Sequence, residues 1–206
     1  MRLGIVTGLV AEARLAAPLG AVRAGGGLPA GAGEAAEALV RQGAQGLLSF
    51  GLAGGLDPAL PPGTVLRPAE VVEAGECFRV EPSLSGEAAG RLVCTAAVVA
   101  RAVEKAALHR ATGAAAVDLE SAAVARVARR HGLPFAVLRA ICDPAGRDLP
   151  PLALSALDQA GRIGPWRVVS SLVRRPGQIP ALLALARDAA AARAALARAV
   201  AQWDSP

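Results

Sequence analysis

Residues 135–151 read FAVLRAICDPAGRDLPP. The apolar run that begins at Phe135 is typical of a strand in the middle of a parallel sheet, because such strands are buried on both faces. The run ends at Asp143, Pro144 follows directly, and a loop rich in Gly, Asp and Pro comes next. A buried strand therefore brings a carboxylate to the edge of the sheet, and Pro144 restricts how the chain leaves it.

Segments typical of strands and helices alternate on both sides of this stretch. Strands are predicted at residues 3–9, 46–51, 64–72 and 91–99, and helices at about 10–19, 33–43, 117–134, 164–173 and 179–201. Such alternation predicts an α/β fold in which helices flank a mixed, mainly parallel sheet. No linker divides the 206 residues, so we expect a single domain over residues 1–206.

Composition excludes several protein classes. Hydrophobic residues make up 53% of the chain, mainly because alanine is abundant, and no apolar run reaches the ~18 residues of a membrane span. Glu12 and Arg14 interrupt the apolar N-terminal stretch, which argues against a signal peptide. The three cysteines lack CxxC spacing and favour reduced thiols over a disulfide framework or a zinc site. We therefore expect a cytoplasmic protein without a metal or another cofactor.

The net charge of +5 would be compatible with a protein that binds nucleic acid. Aromatic residues are only 2% of the chain and tyrosine is absent, so side chains that could stack on bases are scarce and we expect no nucleic-acid partner. Many arginines lie near the C-terminus among alanines and leucines. They predict first a solvated helix face and second a surface for acidic lipid at the inner membrane.

Three carboxylates lie at junctions where ligands bind in open α/β sheets. Glu12 follows the first predicted strand, Glu120 lies at the opening of a helix, and Asp143 ends the apolar strand. Each has a structural explanation as well, since the helix dipole favours acids in a first turn and aspartate favours turns. Taken together with the glycines of FGLAGG at residues 50–55, they form a more specific arrangement.

Ordered motifs over nearly the whole chain resemble a known superfamily. GLAGGLDPAL, then PPGTVL, then VDLESAAVARVARRHGLPFAVLRAICD are similar to the purine nucleoside phosphorylase and methylthioadenosine nucleosidase superfamily. EKAALHRATGAAAVDLES, GLPFAVLRAICDPAGRDLPP and RRPGQIPALLALARDAA more closely resemble the hopanoid-associated phosphorylase family. The resemblance implies a nucleoside phosphorylase-like fold and an enzyme that releases adenine from adenosylhopane in hopanoid biosynthesis.

The resemblance also implies roles for individual residues. Asp143 matches the general acid that protonates N7 of the leaving purine, and we expect burial to keep it protonated. Glu120 would accept hydrogen bonds from the 2′ and 3′ hydroxyls of the ribose, while Leu119 packs on the sugar. Glu12 matches the glutamate that orients and deprotonates the attacking water.

The glycines and the adenine site follow from the same resemblance. Gly51 and Gly54, together with Gly55, would let the backbone approach the sugar and the base. Val98 and Val99 fall near the place where relatives bind adenine through backbone atoms and an aromatic ring. No aromatic residue stands there in this chain.

The identity of the nucleophile and of the substrate stays open at this point. Leu52 and Ser49 occupy the places where phosphorylases have a serine and an arginine, so water is favoured and phosphate is the alternative. A methylthioadenosine or S-adenosylhomocysteine nucleosidase is a second alternative. A non-catalytic nucleoside-binding protein is a third, and the similar nucleosidases imply a homodimer.

Arg139 is a full charge within the otherwise apolar strand. It lies four residues from Asp143, about 13 Å along an extended strand, so the two are not expected to pair. A buried arginine needs an acidic partner. We therefore predict a structural ion pair for Arg139 with an acid from another part of the chain.

Overall fold

The computed structural model describes residues 1–85, 88–151, 153, 177 and 179–203. Within them the chain forms an α/β fold with a mixed nine-stranded sheet. The strands are β1 Leu3–Thr7, β2 Ala21–Ala24, β3 Gly46–Gly55, β4 Val65–Leu66, β5 Glu70–Glu73, β6 Glu76–Arg79, β7 Arg91–Cys94, β8 Ala116–Asp118 and β9 Phe135–Asp143. The helices are α1 Val10–Ala16, α2 Pro29–Arg41, α3 Pro82–Ser85, α4 Ala102–Thr112, α5 Ser121–Arg130 and α6 Ile179–Ala201, and Ala17–Leu19 form a 3-10 turn.

The long strand β3 organises the sheet. Its first half runs parallel to β1, and β9 runs parallel to it along the other edge. Its last residues, Gly54 and Gly55, pair with β8 in the antiparallel direction. The ends of β1, β8 and β9 therefore approach the glycine-rich half of β3, which is where the candidate site lies.

A β-bulge interrupts the pairing of β3 with β9. Ala53 pairs with Ile141, but Gly54 pairs with Asp143, so Cys142 has no partner in the register. A bulge changes which side chain faces a given side of the sheet. Here it places Asp143 directly opposite Gly54.

Helices pack against the sheet around a continuous apolar core. Helices α2 and α5 pack against each other, and α6 packs mainly on β9. Gly43 and Gly132, which follow α2 and α5, have φ angles of +87° and +62°, a conformation in which glycine commonly ends helices. The core includes fully buried residues of β1, β3 and β9, among them Ile5, Leu47, Leu48, Phe50 and Leu138.

The structure of helix α6 shows which way the apolar stripe of the arginine-rich C-terminal region faces. The predicted apolar stripe of Leu182, Leu185, Ala189 and Ala192 faces inward: Ala192 is fully buried and the other three are half-buried. The stripe therefore packs on the sheet, as helices of α/β folds require. Among the described residues, no helix combines the length and the apolar character needed to cross a membrane.

The fold class predicted from the sequence is confirmed, and several element boundaries are wrong. Residues 64–72 form two short strands rather than one, because Pro68 lacks an N–H group and interrupts the pairing. The helix predicted from residue 117 begins at Ser121, since residues 116–118 form β8. The helix predicted at 164–173 lies outside the described residues.

Candidate active site

Three of the predicted site residues converge at the glycine-rich half of β3. Glu12 lies in the first turn of α1, Glu120 immediately precedes α5, and Asp143 is the last residue of β9. Their exposed fractions are 3%, 5% and 5%. Carboxylates are seldom buried to this extent without partners, so their contacts determine what the site can do.

Arg139 forms the centre of a buried polar cluster. Its Nη2 lies 2.6 Å from Asp118 Oδ2 and 3.4 Å from Glu120 Oε2, and it donates to Ser49 Oγ at 2.8 Å. Asp118 is thus the acidic partner that the sequence required, and the predicted ion pair is confirmed. Asp118, Glu120 and Glu12 hold the pKa of the Arg139 guanidinium above its usual value although burial opposes this.

Asp118 is itself fixed by several donors. The Cys94 thiol donates to its Oδ1 at 2.8 Å, and the Ser121 hydroxyl donates to Oδ2. The Ser121 N–H also lies 3.3 Å from Oδ1. Burial is the main reason that the pKa of Cys94 is raised, so this thiol remains a neutral donor. The cluster is therefore rigid on the side away from the glycines.

Glu12 accepts two main-chain hydrogen bonds. The Leu9 N–H donates to Oε2 at 2.8 Å, and the Leu52 N–H donates to Oε1 at 3.0 Å. Burial raises the pKa of Glu12, and these N–H groups and Arg139 only partly oppose the shift. A carboxylate in this setting is a stronger base than an exposed glutamate.

The side chains of Glu12 and Arg139 both pack against Gly51. A Cβ atom at this position would lie 2.7 Å from Arg139 Nη1 and 2.9 Å from Glu12 Oε2, and φ is +152°. Both the close approach and the backbone conformation require glycine. Arg139 and Glu12 thus lie against Gly51, and the approach of a sugar or base to this residue stays a prediction.

Glu120 has one oxygen without a hydrogen-bond partner among the described residues. That atom, Oε1, is buried, and a Cβ atom on Gly8 would lie 2.9 Å from it. Burial raises the pKa of Glu120 to about 7; Arg139 lowers it, whereas Asp118 and Glu12 raise it further. A buried, unpaired acceptor of this kind can receive a hydroxyl of a ligand.

Asp143 is buried as expected, but it also has a cationic partner. Lys105 of α4, which has no exposed surface, forms a salt bridge to Asp143 Oδ2. Oδ1 instead lies beside Gly54, where a Cβ atom would be 3.4 Å away, and receives a weak hydrogen bond from the Cys142 thiol at 3.4 Å. The expectation that burial alone governs this carboxyl is therefore incomplete.

The remaining predicted residues lie around the three carboxylates and the glycine-rich half of β3. Leu119 is half-buried beside Glu120, and Val98 is 47% exposed in the loop after β7. Val99 packs on a small apolar cluster that includes Val117, which in turn lies against Gly54. The cluster therefore reaches the Asp143 end of the glycine segment.

Lys105 and Asp118 were not found by sequence reasoning. EKAALHR has the composition of an exposed helix, and lysine is almost never fully buried, so the local pattern did not indicate that Lys105 is buried. The one signal available was that Lys105 is the only lysine in the sequence. Asp118 could have been found, because Arg139 required an acid and VDLE offers one next to Glu120. No group of three or more His, Cys, Asp or Glu residues suited to a metal ion occurs in the described ranges.

Comparison with known proteins agrees with the fold described above. Residues 86–160 match the family model of the phosphorylase superfamily, whereas a search of curated proteins gives no significant match. A 5′-methylthioadenosine/S-adenosylhomocysteine nucleosidase from Helicobacter pylori, solved with an Immucillin, is similar with a TM-score of 0.68 and 16% identity over 98% of this chain and 99% of that chain.

Two further solved structures are similar. The corresponding nucleosidase from Colwellia psychrerythraea 34H, in complex with adenine, has a TM-score of 0.64 and 19% identity over 82% of this chain and 93% of that chain. A futalosine hydrolase mutant from Helicobacter pylori has a TM-score of 0.62 and 18% identity over 68% and 89%. These similarities establish the fold, and together with the family match they support the predicted class of enzyme that cleaves N-glycosyl bonds. The resemblance to hopanoid-associated members stays a prediction.

The raised pKa of Glu120 makes a pH-dependent contribution to stability. Its pKa is about 7 in the folded protein against an ordinary value of 4.5, so the unfolded chain loses this proton first as pH rises. Stability from this group therefore falls between those two values, by at most about 3 kcal/mol. Glu120→Gln removes the titration. We expect the free energy of unfolding of this variant, relative to wild type, to rise across that window in denaturant titrations.

Glu34→Gln is a matched control, because Glu34 is exposed on α2. Its stability relative to wild type should be constant over the same pH range. A constant difference for Glu120→Gln as well would contradict the raised pKa.

Proposed function

We propose that this protein is a purine nucleosidase that hydrolyses the N-glycosidic bond of an adenine nucleoside. The observation that supports it most is that three buried carboxylates, Glu12, Glu120 and Asp143, lie around the end of β1 and the glycine-rich half of β3. Glu12 and Glu120 lie near Gly51 and Gly8, and Asp143 lies beside Gly54. Three steps along an extended strand, from residue 51 to 54, span about 10 Å.

Glu120 would hold the ribose. Its Oε1 is a buried acceptor without a donor among the described residues, so ribose hydroxyls would satisfy it. Arg139 contacts the other oxygen and limits the freedom of the carboxyl group. Leu119, half-buried next to it, offers an apolar surface to the sugar.

Glu12 would activate the attacking water. A general base works best when its pKa is close to the working pH, and burial moves the pKa of Glu12 in that direction. The two main-chain N–H groups that it accepts fix the orientation of the carboxyl group. The water loses a proton to Glu12 while its oxygen forms a bond to C1′ of the ribose.

Asp143 would protonate the leaving purine. Its Oδ1 faces the glycine segment, while Oδ2 is bound by Lys105. Transfer of a proton from Oδ1 to N7 lets the electron pair of the breaking N9–C1′ bond remain on a neutral adenine. The non-catalytic alternative, a nucleoside-binding protein, would need neither this acid nor a buried base.

Hydrolysis is favoured over phosphorolysis because most donors near Glu12 are already engaged; of the Arg139 nitrogens, only the buried Nε has no partner among the described residues. Arg139, the only fully buried arginine in the described part of the chain, contacts Asp118, Glu120, Ser49 and the Leu52 carbonyl oxygen. The Leu52 N–H donates to Glu12. A phosphate would meet carboxylates rather than free charge-assisted donors.

The proposed substrate is adenosylhopane, and a methylthioadenosine or S-adenosylhomocysteine nucleosidase is the alternative. Besides the sequence resemblance, exposed apolar side chains support a hydrophobic substrate. Val10, Leu28 and Val98 are 44–48% exposed, and they lie in the segments that follow β1, β2 and β7, respectively. We further propose a cytoplasmic homodimer that meets its substrate at the inner membrane surface, where exposed Arg187 and Arg198 of α6 would favour acidic lipid.

The role of Asp143 can be tested by a nearly isosteric substitution. Asp143→Asn removes the proton donor, and we expect adenine release to fall by ~10²–10⁴-fold at unchanged far-UV circular dichroism. The exposed Glu34→Gln variant is the control and should retain wild-type turnover. Near-normal turnover of Asp143→Asn in a chromatographic adenine assay would exclude the assigned role.

The nucleophile can be identified from the sugar product. We expect adenine release in phosphate-free buffer at the same rate as with added phosphate, and a free sugar rather than a sugar 1-phosphate. The reason is that both terminal nitrogens of Arg139, the cation beside Glu12, are already paired. A strict requirement for phosphate, with mass spectrometry detecting the 1-phosphate, would instead support phosphorolysis.

The substrate proposal is tested by competing nucleosides. We expect kcat/KM for adenosylhopane in mixed micelles to exceed that for methylthioadenosine, because the exposed apolar side chains favour a large apolar substituent on the ribose. Equal or better turnover of methylthioadenosine would support the alternative. Sedimentation with anionic vesicles at low and high salt tests the membrane contact separately.

A further inference from the structure

Lys105 is an unusual residue for its position in the chain. It is the only lysine in the sequence, and its ammonium group has no exposed surface. It donates to Asp143 Oδ2, to the Pro144 carbonyl oxygen at 3.0 Å and to the Arg147 carbonyl oxygen at 3.1 Å. An ammonium group has three N–H donors, so each one is used.

Burial of such a pair is costly, and apolar residues often stabilise a protein equally well. Stability alone therefore gives little reason for a lysine at this position. Its contact with the proposed general acid gives a chemical reason.

The two oxygens of Asp143 have different surroundings. Both oxygens lie near Gly54, Oδ1 at 3.4 Å and Oδ2 at 3.7 Å from a Cβ atom placed there, but their donors differ. Oδ2 is held by the Lys105 ammonium, whereas Oδ1 has only the Cys142 thiol as a donor, at 3.4 Å. A carboxyl group fixed at one oxygen can present a proton on the other in a constant direction.

We propose that Lys105 is a positioning residue for Asp143: it fixes Oδ2, directs Oδ1 toward the purine and stabilises the carboxylate that remains after proton transfer. This inference rests on the proposed nucleosidase function. In the step concerned, the O–H bond at Asp143 Oδ1 breaks, an N–H bond forms at purine N7, and the N9–C1′ electron pair stays with adenine. The Lys105 ammonium keeps its own proton throughout.

The other groups around Asp143 do not replace this charge. Burial, first of all, and the nearby Asp143 raise the pKa of the Cys142 thiol, so it stays neutral. Glu12, which also raises the pKa of the Cys142 thiol, is acidic and supplies no positive charge. Strand β3 contributes only Gly54 and Gly55 near Asp143, and β8 contributes Val117.

On the loop after β9, Arg147 pairs with Asp188 of α6 and not with Asp143. Asp148 accepts a hydrogen bond from the Ala102 N–H at 2.7 Å. Lys105 is thus the cation that faces Asp143 among the described residues.

A purely structural role for Lys105 is the competing explanation, because the same loop is fastened to the start of α4. Besides the Lys105 contacts, the Asp148 side chain accepts a hydrogen bond from the Ala102 N–H, and the Leu149 N–H donates to the Ala100 carbonyl oxygen at 2.8 Å. The second of these bonds joins two main-chain groups and involves no side chain. Loosening this loop without touching the charge pair therefore separates the two explanations.

The test compares Lys105→Met with Asp148→Ala in pH-rate profiles of adenine release. Without the ammonium group, the Asp143 carboxyl group loses its proton less readily. The fall of kcat/KM on the alkaline side of the profile, its alkaline limb, should therefore shift to higher pH by about one unit or more. We expect kcat to fall by about 10- to 100-fold with little change in KM. Lys105→Arg, which keeps the charge, should restore much of kcat, whereas Asp148→Ala should lower activity without moving the limb.

A double-mutant cycle provides the second measurement. If Lys105 acts through Asp143, adding Lys105→Met to Asp143→Asn should change kcat by less than about twofold. If Lys105→Met does not fold, Lys105→Gln keeps a donor without the charge and is subject to the same expectations. An unmoved alkaline limb, or a full additional loss in the double variant, would overturn the inference alone. Absence of adenine release by wild type with every nucleoside would overturn the proposed function and this inference with it.

Discussion

The placement of a full positive charge in the middle of the sheet constrains the rest of the candidate site. Arg139 has almost no exposed surface, and a buried charge is tolerated only when opposite charges and hydrogen-bond acceptors surround it. Asp118 supplies the closest countercharge, and the negative charges of Glu120 and Glu12 also stabilise the Arg139 guanidinium. One guanidinium cannot compensate three buried carboxylates, so the pKa values of Glu12 and Glu120 remain raised. The pairing that stabilises the core thus also produces weakly acidic carboxyl groups at the site.

Small residues make this arrangement sterically feasible. Gly51 allows Arg139 and Glu12 to approach each other, and Gly8 leaves room for the carboxyl group of Glu120. A methyl group at either position would lie within 3 Å of a charged atom. The glycines that the sequence presents as a ligand-facing turn therefore serve the protein's own polar groups as well. The charged groups of the site can pack this closely only because glycine stands beside them, and the charged groups in turn explain why glycine is required.

Much of the fold and part of the site could be predicted from the sequence. Alternating segments predicted the α/β class, and the junctions after strands located Glu12, Glu120 and Asp143, because buried strands end where polar residues begin. The requirement that a buried charge be paired anticipated a partner for Arg139. Lys105 could not be predicted, since its helix has the pattern of a solvated one and only tertiary packing buries it. Short strands such as β2 and β8 were also missed, because three or four residues carry no usable periodicity.

The bulge at Cys142 sets the phase of strand β9. Side chains alternate between the two faces of a strand, so inserting or deleting one residue between Arg139 and the strand end would exchange the faces of everything beyond it. The bulge already absorbs one such residue, since Gly54 pairs with Asp143 and not with Cys142. The length of this segment is therefore under tighter constraint than its composition. An additional residue between the arginine and the aspartate would move the acid away from Gly54, whereas loss of the bulged residue itself would leave the acid opposite this glycine.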